Sequence, residues 1–155
     1  MRAHDLAEPY QAVSADDDAV TAARLFVERR LPALLVLDAD QRPYAIVPGS
    51  QLLRVVLPDY ALEDTAQALA LHDTELERIA EKLEGLTVAQ WLPHRTLPTV
   101  VGPDTGIAQV AALMIRTHTP LVAAVESDGQ ETRTVGAITA ARLMEHVLTQ
   151  EQGGP

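Results

Sequence analysis

Two rhythms of apolar residues alternate along this chain. From Asp18 to about Arg30, Ala19, Ala23, Phe26 and Val27 recur at helical spacing and predict an amphipathic helix. Asp16, Asp17 and Asp18 stand before it, suited to capping its free N–H groups and to its dipole. Leu31-Pro32 ends it. Ala33 to Leu37 is then a solid apolar run, the mark of a short strand buried on both faces. Asp38 to Arg42 reads as a turn, Pro43 to Val47 as the return strand of a hairpin, and Pro48-Gly49-Ser50 as an interruption before a helix over Gln51 to Leu57.

The same order comes back later. VSADDDAVTAARLFVERRLPALLVLD, Val13 to Asp38, aligns without a gap on VGPDTGIAQVAALMIRTHTPLVAAVE, Val101 to Glu126. Val13 falls on Val101, Asp16 on Asp104, Leu25 on Leu113 and Pro32 on Pro120. After a short insertion, Ala45 to Leu57 falls on Gly136 to Leu148. The second copy predicts a helix with Ile107, Val110, Ala111 and Met114 on one face, a strand over Leu121 to Val125, a turn at Ser127-Asp128-Gly129, a return strand over Thr134 to Ile138, and a helix from about Ala140 to Thr149. A duplicated unit predicts two similar lobes packed together, with function in the cleft between them. The expected divisions are 1–57 for the first repeat, 58–86 for a helical linker, 87–150 for the second repeat and 151–155 for a frayed tail. Leu69, Leu76, Ile79, Leu83 and Leu86 give the linker an apolar stripe, expected to cover its own module, and Thr87 to Leu92 reads as a short helical turn paralleling Ala3 to Leu6.

Composition narrows the function more than the fold. At 155 residues and 47% apolar, mostly Ala, Leu and Val, the chain has material for one compact interior. A formal net charge of −10 repels phosphate backbones and argues against nucleic acid and against anionic membranes as partners. Without cysteine there is neither a disulfide frame nor a thiolate zinc site. No apolar run has transmembrane length and MRAHDLAEPY lacks a signal-peptide core, so a cytoplasmic location is expected, with no membrane insertion. Glycine-rich phosphate loops, nucleophile elbows and metalloprotease motifs are absent from the sequence. His4, Asp5 and Glu8, like His72, Asp73 and Glu75, are read as solvated groups rather than as metal ligands. Trp91 is read as an anchor for the linker.

LPALLVLDADQRPYAIV and THTPLVAAVESDGQETRTVGAIT are the segments that carry a resemblance. Each runs from a small-to-apolar residue and proline through an apolar strand to an acid, a polar turn, and a small residue before apolar ones, with Gly136 and Thr139 at the end of the second. This ordered pair resembles a tandem CBS-domain pair, or Bateman module, over nearly the whole chain apart from the linker centre and the tail. The resemblance implies an α/β (α+β) fold: two CBS repeats, each a small sheet with two helices, packed with pseudo-twofold symmetry, plus the helical linker.

The resemblance also implies where a ligand sits. Such pairs carry a Ser or Thr at the end of the hairpin strand and an Asp three residues on, for phosphate and ribose. Here Pro48 and Gln51 take those positions in the first copy, so nucleotide binding there in the usual manner is not expected. In the second copy Thr139 is kept and Arg142 replaces the Asp. Arg142 cannot accept from ribose but can bind phosphate or carboxylate. The candidate site is therefore Thr139 and Arg142, with Val100 and Val101 as an apolar wall and Thr119 and Pro120 as backbone contacts. The alternative is that Thr139 caps its helix and Arg142 lies on an exposed face. The resemblance implies a non-catalytic regulator that forms a homodimer, with AMP, ATP or S-adenosylmethionine as regulatory ligand and a separate effector, a transporter or an enzyme, as partner. A ligand-free interaction scaffold is the competing expectation.

Overall fold

The computed structural model describes residues 1–56, 81–92 and 98–152. Its elements run α1 (Ala3–Leu6), β1 (Ala12–Ser14), α2 (Ala19–Glu28), β2 (Ala33–Leu37), β3 (Pro43–Pro48), α3 (Gly49–Val56), α4 (Val88–Trp91), β4 (Val100–Val101), α5 (Ile107–Thr117), β5 (Leu121–Asp128), β6 (Glu131–Thr139) and α6 (Ala140–Gln152). The linker residues 57–80, including Leu69, Leu76 and Ile79, lie outside the described residues.

Each repeat folds its strands into a three-stranded mixed sheet, β1-β2-β3 and β4-β5-β6. In each the first strand is parallel to the second and the second antiparallel to the third. A register shift falls between Val36 and Leu37 in one hairpin and between Ala124 and Val125 in the other, which are aligned positions of the repeat. Central strands are buried on both faces, as their unbroken apolar runs predict: Leu34, Leu35 and Val36, then Leu121, Val122 and Ala123, are at most 1% exposed. Full burial of one such Leu contributes roughly 1.5–3 kcal/mol. The fold is the α+β arrangement that the resemblance implies.

The local chemistry that starts and stops the helices is largely what the sequence predicts. Asp18 caps α2, accepting from Thr21 N–H and from the Thr21 hydroxyl, both at 3.0 Å. α5 ends at His118, whose left-handed backbone (φ 51°) lets its N–H reach the carbonyls of Met114 and Ile115. Three details differ from expectation. Val27 is 69% exposed, whereas Ala19, Ala23 and Phe26 face the first core as expected and Ala22 joins them. Pro48-Gly49-Ser50 does not interrupt: β3 runs through Pro48 and α3 begins at once at Gly49, whose N–H donates to the Pro32 carbonyl at 3.2 Å. The second hairpin is longer than its apolar core. Its polar outer part stays paired, with the Ser127 and Thr132 hydroxyls 3.1 Å apart and Gly129 in a left-handed turn (φ 65°).

The repeats exchange their leading helices. α1 lies in the core of the second repeat, where Ala3 and Leu6 pack with Val101, Val110 and Ile138. α4 lies in the core of the first, where Val88, Trp91 and Leu92 pack with Val13, Leu34 and Leu52. The docking bonds are matched across the repeat. Ala3 and His4 donate to the carbonyls of Thr105 and Pro103, while Val88 and Ala89 donate to those of Asp17 and Ala15. Of the linker stripe, Leu83 and Leu86 pack on the first core.

Candidate functional site

The seam between the sheets is apolar, and two of its three buried residues are alanines. Ala33, Leu121 and Ala137 form a buried cluster, with Tyr10 and Ile46 packed on it. Farther along, the Gln41 carbonyl at the first hairpin tip accepts from Thr134 N–H of β6 at 2.9 Å. Small side chains let the sheets approach, and a cleft is left where the chain turns from helix into strand.

That cleft has a volume of about 660 Å³. One wall is Pro32, Pro48, Gly49 and Ser50 from the first repeat; the other is Met114, Ile115, His118, Thr119 and Pro120 from the second. Its apolar residues are joined by two hydroxyls, of Ser50 and Thr119, and one imidazole, of His118, a lining suited to a flat, weakly polar group. Thr119 has its hydroxyl committed, donating to the Leu121 carbonyl at 2.8 Å, and the Pro120 carbonyl accepts from Ala140 N–H at 2.9 Å.

The expected site residues divide into two groups. Thr119 and Pro120 line the cleft together with Pro48, Gly49 and Ser50 of the opposite repeat. Thr139, Arg142, Val100 and Val101 are not among its lining residues. The Thr139 hydroxyl accepts from Arg142 N–H at 3.1 Å and so caps the start of α6. Val101 is 3% exposed within the second core, while Val100 is 43% exposed. The Arg142 guanidinium turns toward the N-terminal segment 2–10, a strap laid along β6: its Nε lies 3.4 Å from both the Leu6 carbonyl and Glu8 Oε1, and its Nη1 3.4 Å from Glu145 Oε2. These contacts are long for charge-assisted bonds, which favour 2.7–2.9 Å, so the pairs are weak.

The strap follows β6 closely. Glu8 and Ala137 exchange backbone bonds at 3.0 and 2.9 Å. A side chain at Gly136 would collide with the Glu8 carbonyl oxygen, which is the physical reason for a glycine there. At its start the Arg2 N–H donates to Asp5, and this bond holds the Asp5 carboxyl below its usual range. At its end Tyr10 donates its hydroxyl to the Ala33 carbonyl at 2.6 Å. β1 begins only at Ala12, opposite Leu35, so Ala33 extends past the ladder and Tyr10 supplies the missing donor. In the second repeat the aligned carbonyl, Leu121, is satisfied by Thr119. Two copies of one backbone position are thus completed by unrelated residues. The repeat pattern itself, mapping Pro32 onto Pro120, is the signal that leads to the cleft. Nothing in the sequence links Glu8 to Arg142 or Tyr10 to Ala33.

The CBS domain family model matches residues 3–58 and 94–149. The chain belongs to the CBS-domain family. No curated protein matches it. A CBS domain-containing protein of unknown function from Kribbella flavida is similar at 36% identity over 96% of this chain and 99% of that one, with a TM-score of 0.77. The CBS-pair protein CBSX2 from Arabidopsis thaliana is 20% identical over 99% and 98% of the two chains, with a TM-score of 0.73. CBSX2 has also been solved in complex with AMP, in a structure with a TM-score of 0.67 to this chain, at 21% identity over 97% of this chain and 98% of that one. The last two likenesses concern the fold alone.

Proposed function

We propose that this CBS pair is a non-catalytic regulatory module that takes a small ligand at the seam of its repeats and signals to a separate effector, a transporter or an enzyme. The observation that carries this reading is the cleft of about 660 Å³ to which both repeats contribute, so that a bound molecule contacts both lobes and favours one lobe geometry. AMP, ATP and S-adenosylmethionine are the ligands to try first, and the AMP complex of CBSX2 supports that choice. Thr139 and Arg142 are the proposed anion end, with Val100 and Val101 as the proposed wall and Thr119 and Pro120 as backbone contacts; of these six, Thr119 and Pro120 line the cleft.

A homodimer is part of this reading. Ile115 on α5 and Met144, Val147 and Leu148 on α6 are each more than half exposed and support a self-associating helical face. Calorimetric titration of the three ligands into the wild type and Thr139→Ala tests the reading. Saturable binding that weakens in the variant supports it; unchanged affinity removes Thr139 from the site. Failure of all three ligands favours the competing reading of a ligand-free scaffold, to which the pairing of Arg142 with Glu8 and Glu145 lends weight.

A further inference from the structure

Ala3 and Leu6, 0% and 2% exposed, already anchor the strap in the second core. Beyond them Glu8 is tied to β6 by its two backbone bonds to Ala137, and the side chains of Glu8 and Tyr10 take up polar groups on both repeats. Glu8 sets its carboxylate 3.4 Å from Arg142 Nε, although its side chain is 59% exposed. Tyr10 lays its half-buried ring on the seam cluster and bonds the Ala33 carbonyl. Three residues span at most about 10 Å. One short segment therefore presents a flat ring with an O–H donor at one end and an anion at the other. The first meets a backbone acceptor of the first repeat; the second meets a cation of the second.

We infer that Glu8–Tyr10 acts as an internal pseudo-ligand, and that a small molecule binds at Arg142 by displacing Glu8 and, at the seam, Tyr10. The chemistry of the displaced segment specifies the displacing ligand: a flat aromatic group bearing an N–H or O–H donor, joined to an anion. This rests on the proposed reading that the second repeat takes a ligand. Exchange at Arg142 is energetically easy, because a 3.4 Å ion pair whose carboxylate side chain is mostly exposed contributes little. It is also local, because Ala3 and Leu6 keep the strap docked. The released segment bridges the two repeats, so its departure is a change that a partner can read.

The test titrates AMP by calorimetry into wild type, Glu8→Gln, Tyr10→Phe and the double variant Glu8→Gln with Arg142→Gln, and inorganic phosphate, followed by the NMR signal of the Arg142 Nε–H, into wild type and Glu8→Gln. Removing a surface-pair competitor is expected to tighten AMP binding about two- to fivefold in Glu8→Gln. Adding Arg142→Gln to Glu8→Gln should erase that gain. Tyr10→Phe keeps the ring, removes the competing donor, and should tighten AMP by a similar factor. AMP binding of equal strength in wild type and Glu8→Gln leaves the regulatory reading intact and overturns the pseudo-ligand. If AMP binds neither, phosphate decides. A shift of the Arg142 signal at lower phosphate concentration in Glu8→Gln than in wild type supports displacement while the nucleotide reading fails, and no shift in either overturns the inference.

Discussion

Replacing Gly136 by Ala should unseat the strap. A Cβ at this position meets the Glu8 carbonyl oxygen, with the Glu8 carbonyl carbon at 3.0 Å and its backbone nitrogen at 3.6 Å, so the obstacle is main chain and cannot rotate away. Overpacking of this kind costs roughly 1–3 kcal/mol. Moving the strap aside also weakens the two bonds exchanged between Glu8 and Ala137, each contributing about 1 kcal/mol. The expected loss is about 2–4 kcal/mol in total, from a stability typically of 5–15. For a chain of this size that lowers the melting temperature by roughly 5–15 °C. Gly102→Ala is the control: nothing lies within 4 Å of its added Cβ and its φ is not left-handed. It should stay within about 0.5 kcal/mol of wild type. Urea denaturation measures both, and hydrogen exchange should show faster exchange at Glu8 and Ala137 in Gly136→Ala. A Gly136→Ala protein as stable as Gly102→Ala would refute the close crossing of strap and strand.

Other perturbations separate the remaining contacts. Tyr10→Phe leaves the Ala33 carbonyl without its donor and should cost about 1–3 kcal/mol by urea denaturation. Burial raises the Tyr10 phenol above its ordinary value of 10.0, so the folded state holds the proton more tightly than the unfolded chain. That contribution is complete below pH 10.0 and is lost as pH rises through the elevated folded value; the stability of Tyr10→Phe should lack this part of the alkaline decline. Asp18→Ala removes the cap of α2 and should cost about 1 kcal/mol. Leu121→Ala, at a fully buried position of both β5 and the seam, should cost about 2–5 kcal/mol in the same assay.

The repeat, the central strands and the order of elements were legible because burial on both faces leaves an unbroken apolar run, as in Leu34 to Val36, and because helix ends carry prolines and caps. β1 and β4 were not legible as strands: with three and two residues they show no period, and their pairing is set by the neighbouring strand. The outer part of the second hairpin was missed because its exposed polar residues pair through backbone and hydroxyl groups that hydropathy does not report. Val27 misled because helical spacing alone cannot say which of two apolar edges faces inward. Of the six expected site residues, Thr119 and Pro120, named from the family resemblance, are the two that line the cleft. The contacts of Arg142 were hidden because Leu6 and Glu8 stand at the other end of the chain, and only the exchange of leading helices brings them together.

The claim at the centre of this account is that the two repeats form one ligand-responsive seam. Backbone NMR of the ¹⁵N-labelled full chain during AMP titration tests it most directly. The account predicts saturable shifts in both repeats at once, at Ser50, His118 and Thr119 around the cleft and at Glu8, Thr139 and Arg142 beside the strap. Shifts confined to one repeat, or none up to saturating AMP, ATP and S-adenosylmethionine, would contradict it.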